Sequence, residues 1–168
     1  MDLSRWDARI DQFYADAFDA SDPAGTVAGM RKLLADAEPD AEALVAFELA
    51  GVHDSLGLED EAVPLYRAAI GAGLDDDHAA QARIQFASTL RNLGRLDEAL
   101  ALLVVPTVGA LEPARRAFLA LALHSAGRAD EALREAIEGI IPSLPRYQRS
   151  LTGYAAQLNE RAGDGGSA

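Results

Sequence analysis

The sequence predicts an all-α fold of about nine helices, arranged as stacked antiparallel hairpins. Three observations lead there. Residues are 49% hydrophobic but only 6% aromatic, and alanine and leucine dominate, which favours helix over sheet. The phrases "HDSLGLEDEAVPLY", "STLRNLGRLDEALALL" and "HSAGRADEALREAI" repeat one pattern around Gly57, Gly94 and Gly127, at spacings of 37 and 33 residues. Apolar residues on either side of each glycine recur at helical intervals, so the repeated unit is a helix–turn–helix.

Taken in order, "LSRWDARIDQFYADAF" places Trp6, Ile10, Phe13, Tyr14 and Ala17 on one helical face. Residues 24–37 form a second helix, with Val27, Met30, Leu33 and Leu34 apolar. Together, residues 1–42 make a degenerate hairpin capping the N-terminal end, closed near Pro39. Amphipathic helices follow at 43–56, 80–93 and 113–126. Each is ended by its glycine, where a left-handed C-cap carries no penalty. Glu59, Asp60 and Glu61, then Asp97 and Glu98, then Asp130 and Glu131 put acid at the start of the next helix and so complement its dipole. Ala50, Ala87 and Ala120 before the glycines, and Ala62, Ala99 and Ala132 after them, let the two helices approach closely. No hairpin can bury its apolar surface alone, so neighbours stack. Pro64 falls inside a helix and should weaken one backbone bond; Pro106 should end the second helix of the middle hairpin near Val105. A final helix over 145–162 carries Tyr147, Leu151, Tyr154 and Leu158 on one stripe, and 163–168 reads as a disordered tail. The expected organisation is one domain over 1–163, with repeats at 43–76, 80–111 and 113–142.

Composition excludes several functions. There are no cysteines, hence no disulfide, thiolate metal site or cysteine nucleophile. A net charge of −12 repels phosphate backbones and argues against nucleic-acid binding. No apolar run is long enough to span a membrane, and the start lacks the basic flank and apolar core of a signal peptide, so the expected location is cytoplasmic. The acid is uneven: residues 1–42 hold ten acidic and four basic side chains, whereas 143–168 hold two and three. A basic partner would therefore meet the N-terminal end.

Candidate chemistry is sparse. His53-Asp54 is an "HD" pair, but His53 occupies a position that packs the hairpin. His124-Ser125 falls in the same register as Asp54-Ser55 and Arg91-Asn92, which is repeat geometry rather than a catalytic pair. His78 lies at a helix start in "LDDDHAAQ", where the aspartates suit helix capping. Neither a phosphate loop nor a nucleophile elbow is present. No catalytic residue, metal or cofactor is expected.

The unit resembles the tetratricopeptide repeat over roughly residues 43–142. The first copy supplies Leu49-Ala50, His53, Gly57, Ala62, Tyr66 and Ala69. The second supplies Phe86-Ala87, Leu90, Gly94, Ala99 and Leu103; the third, Leu119-Ala120, Leu123, Gly127, Ala132 and Ala136. Ala46, Arg83 and Arg116 stand where the family carries tryptophan. The resemblance implies a right-handed α-solenoid and a non-catalytic interaction module that receives a peptide or partner helix in a concave groove. Carried over by offset, the groove would be lined by Phe47, Gly51, Asp54 and Ser55; by Gln81, Ile84, Ser88, Arg91 and Asn92; and by Ala117, Leu121, His124 and Ser125. Arg91 and Asn92 suit carboxylates and peptide backbone. Two alternatives accompany this reading: homodimerisation through apolar edge faces, and a ligand-sensing or enzymatic role around His53 and His124.

Overall fold

The computed structural model of the chain describes residues 2–107 and 109–164, with side chains described as far as Leu158. Among these residues there are nine α-helices and no strand. The chain divides into two compact units, Met1–Gln85 and Phe86–Ala168.

The first unit holds α1 (Leu3–Asp16), α2 (Pro23–Leu34), α3 (Glu42–Ser55), α4 (Glu59–Ala72) and the start of α5 (Asp76–Asn92). Asp2 and Asp22 cap α1 and α2, their carboxylates accepting from the Arg5 and Gly25 backbone N–H groups. Trp6, Ile10 and Phe13 of α1 pack with Met30 and Leu34 of α2 and with Leu44 and Val52 of α3. The N-terminal hairpin is thus part of the first unit's core. Ala50, Ala62, Tyr66 and Ala69 are fully buried where α3 meets α4.

The second unit holds the rest of α5, α6 (Leu96–Leu103), α7 (Glu112–Ser125), α8 (Ala129–Ile140) and α9 (Gln148–Asp164). Leu90, Ala99, Leu103, Leu119 and Leu123 form its interior, and α9 packs on α8.

The three glycines do the same backbone work. Gly57, Gly94 and Gly127 have φ of 71°, 74° and 76°. In each turn the glycine N–H donates three residues back and the next N–H five back, to Asp54 and His53, Arg91 and Leu90, and His124 and Leu123. That pair of bonds closes the helix on a left-handed residue. A Cβ on Gly94 would touch nothing within 4 Å, so Gly94→Ala isolates the backbone term. It is expected to cost about 1 kcal/mol in chemical denaturation without changing the helical signal. Arg95 and Arg128 then fork onto Glu98 and Glu131 three residues ahead, with both bonds at 2.6–2.7 Å.

Some boundaries differ from the sequence expectation. α2 stops at Leu34, three residues short, and α5 begins at Asp76, four early. There Asp75 accepts from the backbone N–H of Asp77 and His78, a capping contact that extends the helix toward its N-terminus. Pro64 sits exposed within α4, which continues through it. α6 ends at Leu103 rather than near Val105; Pro106 disfavours helical backbone at Val105, and Arg115 Nη1 takes the Leu103 carbonyl. On α9 the inward stripe is Leu151, Ala155 and Leu158, whereas Tyr147 and Tyr154 are 75% and 60% exposed. Tyr147 precedes the helix with φ 70°, which removes it from the helical register. The helix runs on to Asp164, and residues 165–168 of the expected tail lie outside the described residues.

Arg116, at a tryptophan position of the repeat pattern, belongs to an ion network in the second unit. Glu112 accepts from Arg115 and Arg116 and from the Thr107 backbone N–H and hydroxyl. Arg116 reaches on to Glu135 and Glu138 of α8, and Arg134 pairs with the same two carboxylates. Charge pairing replaces aromatic packing between α7 and α8.

Candidate partner-binding cleft

In the first unit, α1, α3 and α5 line a cleft of about 550 Å³. α1 contributes Asp7, Asp11 and Tyr14, at intervals that place them on one face. α3 contributes Phe47, Glu48, Gly51, Asp54 and Ser55; α5 contributes His78, Gln81 and Gln85. Gly51 gives the cleft depth, since a Cβ there would stand 3.3 Å from the Tyr14 hydroxyl.

Aromatic rings form the inner wall. Phe47 is 4% exposed, with Tyr66 tilted against it and the His78 ring edge-on at 6.0 Å. The Tyr66 hydroxyl donates to Gln85 Oε1 at 3.1 Å, with Asp54 Oδ2 at 3.4 Å.

The polar groups are mostly acidic. His78 is buried and stands between two carboxylates, Nδ1 2.7 Å from Asp75 Oδ2 and Nε2 3.1 Å from Asp7 Oδ1. It ties α1 to the head of α5. Burial pushes the Asp75 carboxyl up, but hydrogen bonds from the His78 backbone and ring outweigh it and hold Asp75 below its usual range. Glu48 is 7% exposed; its Oε1 accepts from the Trp6 indole N–H at 3.1 Å. Burial pushes the Glu48 carboxyl up to about 7, Asp7 and Asp11 reinforce the shift, and the Trp6 N–H and His78 oppose it. Burial, with Glu48 and Asp54 nearby, likewise raises the Tyr14 hydroxyl to about 12.

A carboxyl whose folded pKa is raised stays protonated more readily in the native state. Its ionisation therefore costs stability as pH climbs from the ordinary glutamate value to about 7, and the cost is constant above. Glu48→Gln keeps an acceptor for Trp6 and removes that cost. It is expected to raise stability by on the order of 2 kcal/mol near pH 8 and to leave it unchanged near pH 4. Urea denaturation at both pH values checks this, and equal effects at the two would contradict it.

The groove residues read from the sequence fall in both units. Phe47, Gly51, Asp54, Ser55 and Gln81 line the cleft of the first unit; Ile84 is buried at 6%. In the second unit Ser88 and Arg91 are half-buried, and Asn92 is exposed. Arg91 Nε donates to Ser125 Oγ at 2.9 Å, and Ser125 donates to the Leu121 carbonyl. Ala117, Leu121 and His124 line a separate apolar hollow of about 550 Å³ between α7 and α8, with Leu133 and Ile140 opposite. His53 is buried and its Nδ1 lies 2.6 Å from the Leu49 carbonyl oxygen. Sequence reasoning missed Asp7, Asp11, Glu48 and His78 as cleft residues. The α1 interval of Asp7, Asp11 and Tyr14 was a usable signal; the 42-residue reach from Trp6 to Glu48 was not. Among the described residues no group of three or more histidine, aspartate or glutamate side chains is placed to hold a metal, and no helix is long and apolar enough to cross a membrane.

Comparison with known proteins gives a consistent fold. The family model described as Tetratrico peptide repeat matches residues 43–158. Among solved structures, MamA MSR-1 C2 is 24% identical with a TM-score of 0.52, covering 91% of this chain and 84% of its own. MamA AMB-1 P212121 is 24% identical with a TM-score of 0.51, covering 90% and 86%. These neighbours support a helical-repeat solenoid. No curated protein matches the chain.

Proposed function

Because the chain belongs to the tetratricopeptide repeat family, we propose that it is a cytoplasmic, non-catalytic adaptor that holds a peptide or partner helix against the inner faces of its first-helix positions. Family membership supports a protein–protein interaction role in general. The observation that carries the finer reading is the cleft of the first unit, walled by Phe47, Gly51, Asp54, Ser55 and Gln81. Stacked hairpins present such faces as binding surfaces rather than reaction sites.

Partner capture by the immobilised full chain tests this reading. Gly51→Leu, which fills the cleft toward Tyr14, and Arg91→Ala/Asn92→Ala, which alters the second unit, serve as comparisons. Loss of a captured protein on either variant, with the helical content unchanged, supports the groove. A partner retained equally by both would sink it.

A second reading, self-association, is favoured by the α7–α8 hollow, where Leu121, Leu133 and Ile140 are 47%, 51% and 52% exposed. Sedimentation velocity decides it: Leu133→Glu should convert a dimer to a monomer, and a native chain already monomeric at micromolar concentration rejects it.

A further inference from the structure

We propose that the cleft of the first unit recognises an arginine side chain of a protein partner, with Glu48 as its anchor. The inference rests on the peptide-binding reading above and names the chemistry of the peptide. Three observations carry it. First, Glu48 is 7% exposed and lines the cleft; its Oε1 is engaged by Trp6, and no hydrogen bond from a described residue reaches Oε2. A buried carboxylate with an open side is costly unless a donor reaches it. Second, no cation is available to do so from within. Asp7, Asp11 and Asp54 share the cleft, its one basic side chain is His78, and both His78 ring nitrogens already face Asp7 and Asp75. Third, the walls suit a guanidinium better than an ammonium. The half-buried Tyr14 offers aromatic surface, with the buried Phe47 behind the cleft wall, and Gln81 adds an amide; a planar, weakly hydrated fork both stacks and bridges carboxylate oxygens.

Arginine binding would stabilise the ionised form of Glu48. The groups facing that carboxyl are Asp7, Asp11 and Tyr14 from α1, Asp54 from α3 and His78 from α5. With the free carboxyl at about 7, affinity should rise between about pH 6 and pH 8 and level off above.

The test is selection of a randomised displayed peptide library on the full chain, followed by anisotropy titration of a labelled, enriched peptide. The expected result is enrichment of arginine at one position and at least tenfold weaker binding after arginine is replaced by citrulline. Glu48→Gln, which keeps the Trp6 acceptor, should lower affinity by a similar factor and flatten the pH dependence. Free arginine amide should compete only at far higher concentration than the peptide; equal potency would overturn a protein partner in favour of a small guanidine. Enriched peptides lacking a cation, a preference for lysine over arginine, or unchanged affinity with Glu48→Gln would overturn the arginine assignment while leaving peptide binding intact. A library yielding no binder at all would overturn both.

Discussion

Replacing Arg115 by methionine is expected to lower the thermal midpoint by about 10 °C, among the largest effects of any single charged-residue substitution in the chain. Arg115 is 5% exposed. Its guanidinium holds the Leu103 carbonyl and both oxygens of Glu112, and so joins the end of α6 to the start of α7. Methionine fills much of the volume but leaves a buried carbonyl without its donor and weakens the hold on a carboxylate. Breaking such a pair costs about 3 kcal/mol, at the low end for buried pairs because Arg116 and Thr107 still reach Glu112. The pH dependence gives an independent check. Hydrogen bonds from Arg115 outweigh burial and, with Thr107, hold the Glu112 carboxyl down to about 2. For a depressed carboxyl the stabilisation is complete above the ordinary glutamate pKa and is lost as pH falls toward the folded value. The gap between wild type and Arg115→Met should therefore be widest near neutrality and narrow as pH drops from about 4.5 to about 2. A gap independent of pH would place the effect in packing and the Leu103 hydrogen bond rather than in the pairing with Glu112.

Tyr66→Ala is the second large change, at about 4 kcal/mol in urea denaturation. Tyr66 is fully buried, its ring lies 6.5 Å from Phe47, and its removal would leave a cavity under the cleft. Tyr66→Phe keeps the ring and loses the hydroxyl's contacts with Gln85 and Asp54, so it should cost about 1 kcal/mol. If the phenylalanine variant fell as far as the alanine variant, the hydroxyl network rather than the ring would be the main contributor. The alanine variant should also weaken any ligand of the cleft.

The parts of the fold that rest on short-range rules were legible in the sequence. Gly57, Gly94 and Gly127 announce their turns because only a left-handed residue closes those helices, and the requirement involves neighbours within five positions. Ala50, Ala62, Ala87 and Ala99 repeat because close helix approach demands small residues, and all four are fully buried. Pairings made across distance were not legible. Arg116 marks a departure from the repeat pattern, but its partners Glu135 and Glu138 lie on another helix. Glu48 looks like an ordinary helical glutamate until Trp6 is seen to fold onto it. The stripe assigned to α9 holds at Leu151 and Leu158 but not at its tyrosines: Tyr147 lies outside the helix, and Ala155 rather than Tyr154 is buried. For the cleft, repeat offsets pick out Phe47, Gly51, Asp54 and Ser55 on α3 and Gln81 on α5, but not Glu48 or His78. The α1 wall has no counterpart in the repeat and had to come from packing.

The indole that holds Glu48 is the chain's one tryptophan, and it lies in the core of the first unit. Intrinsic emission excited at the red edge therefore watches that unit alone, while circular dichroism averages over helices of both. Two spectroscopic denaturation curves from one sample would separate if the units melt independently and superimpose if they melt together. The same chromophore should titrate near neutral pH as its carboxylate neighbour gains or loses a proton, so the native protein carries its own optical readout of that ionisation.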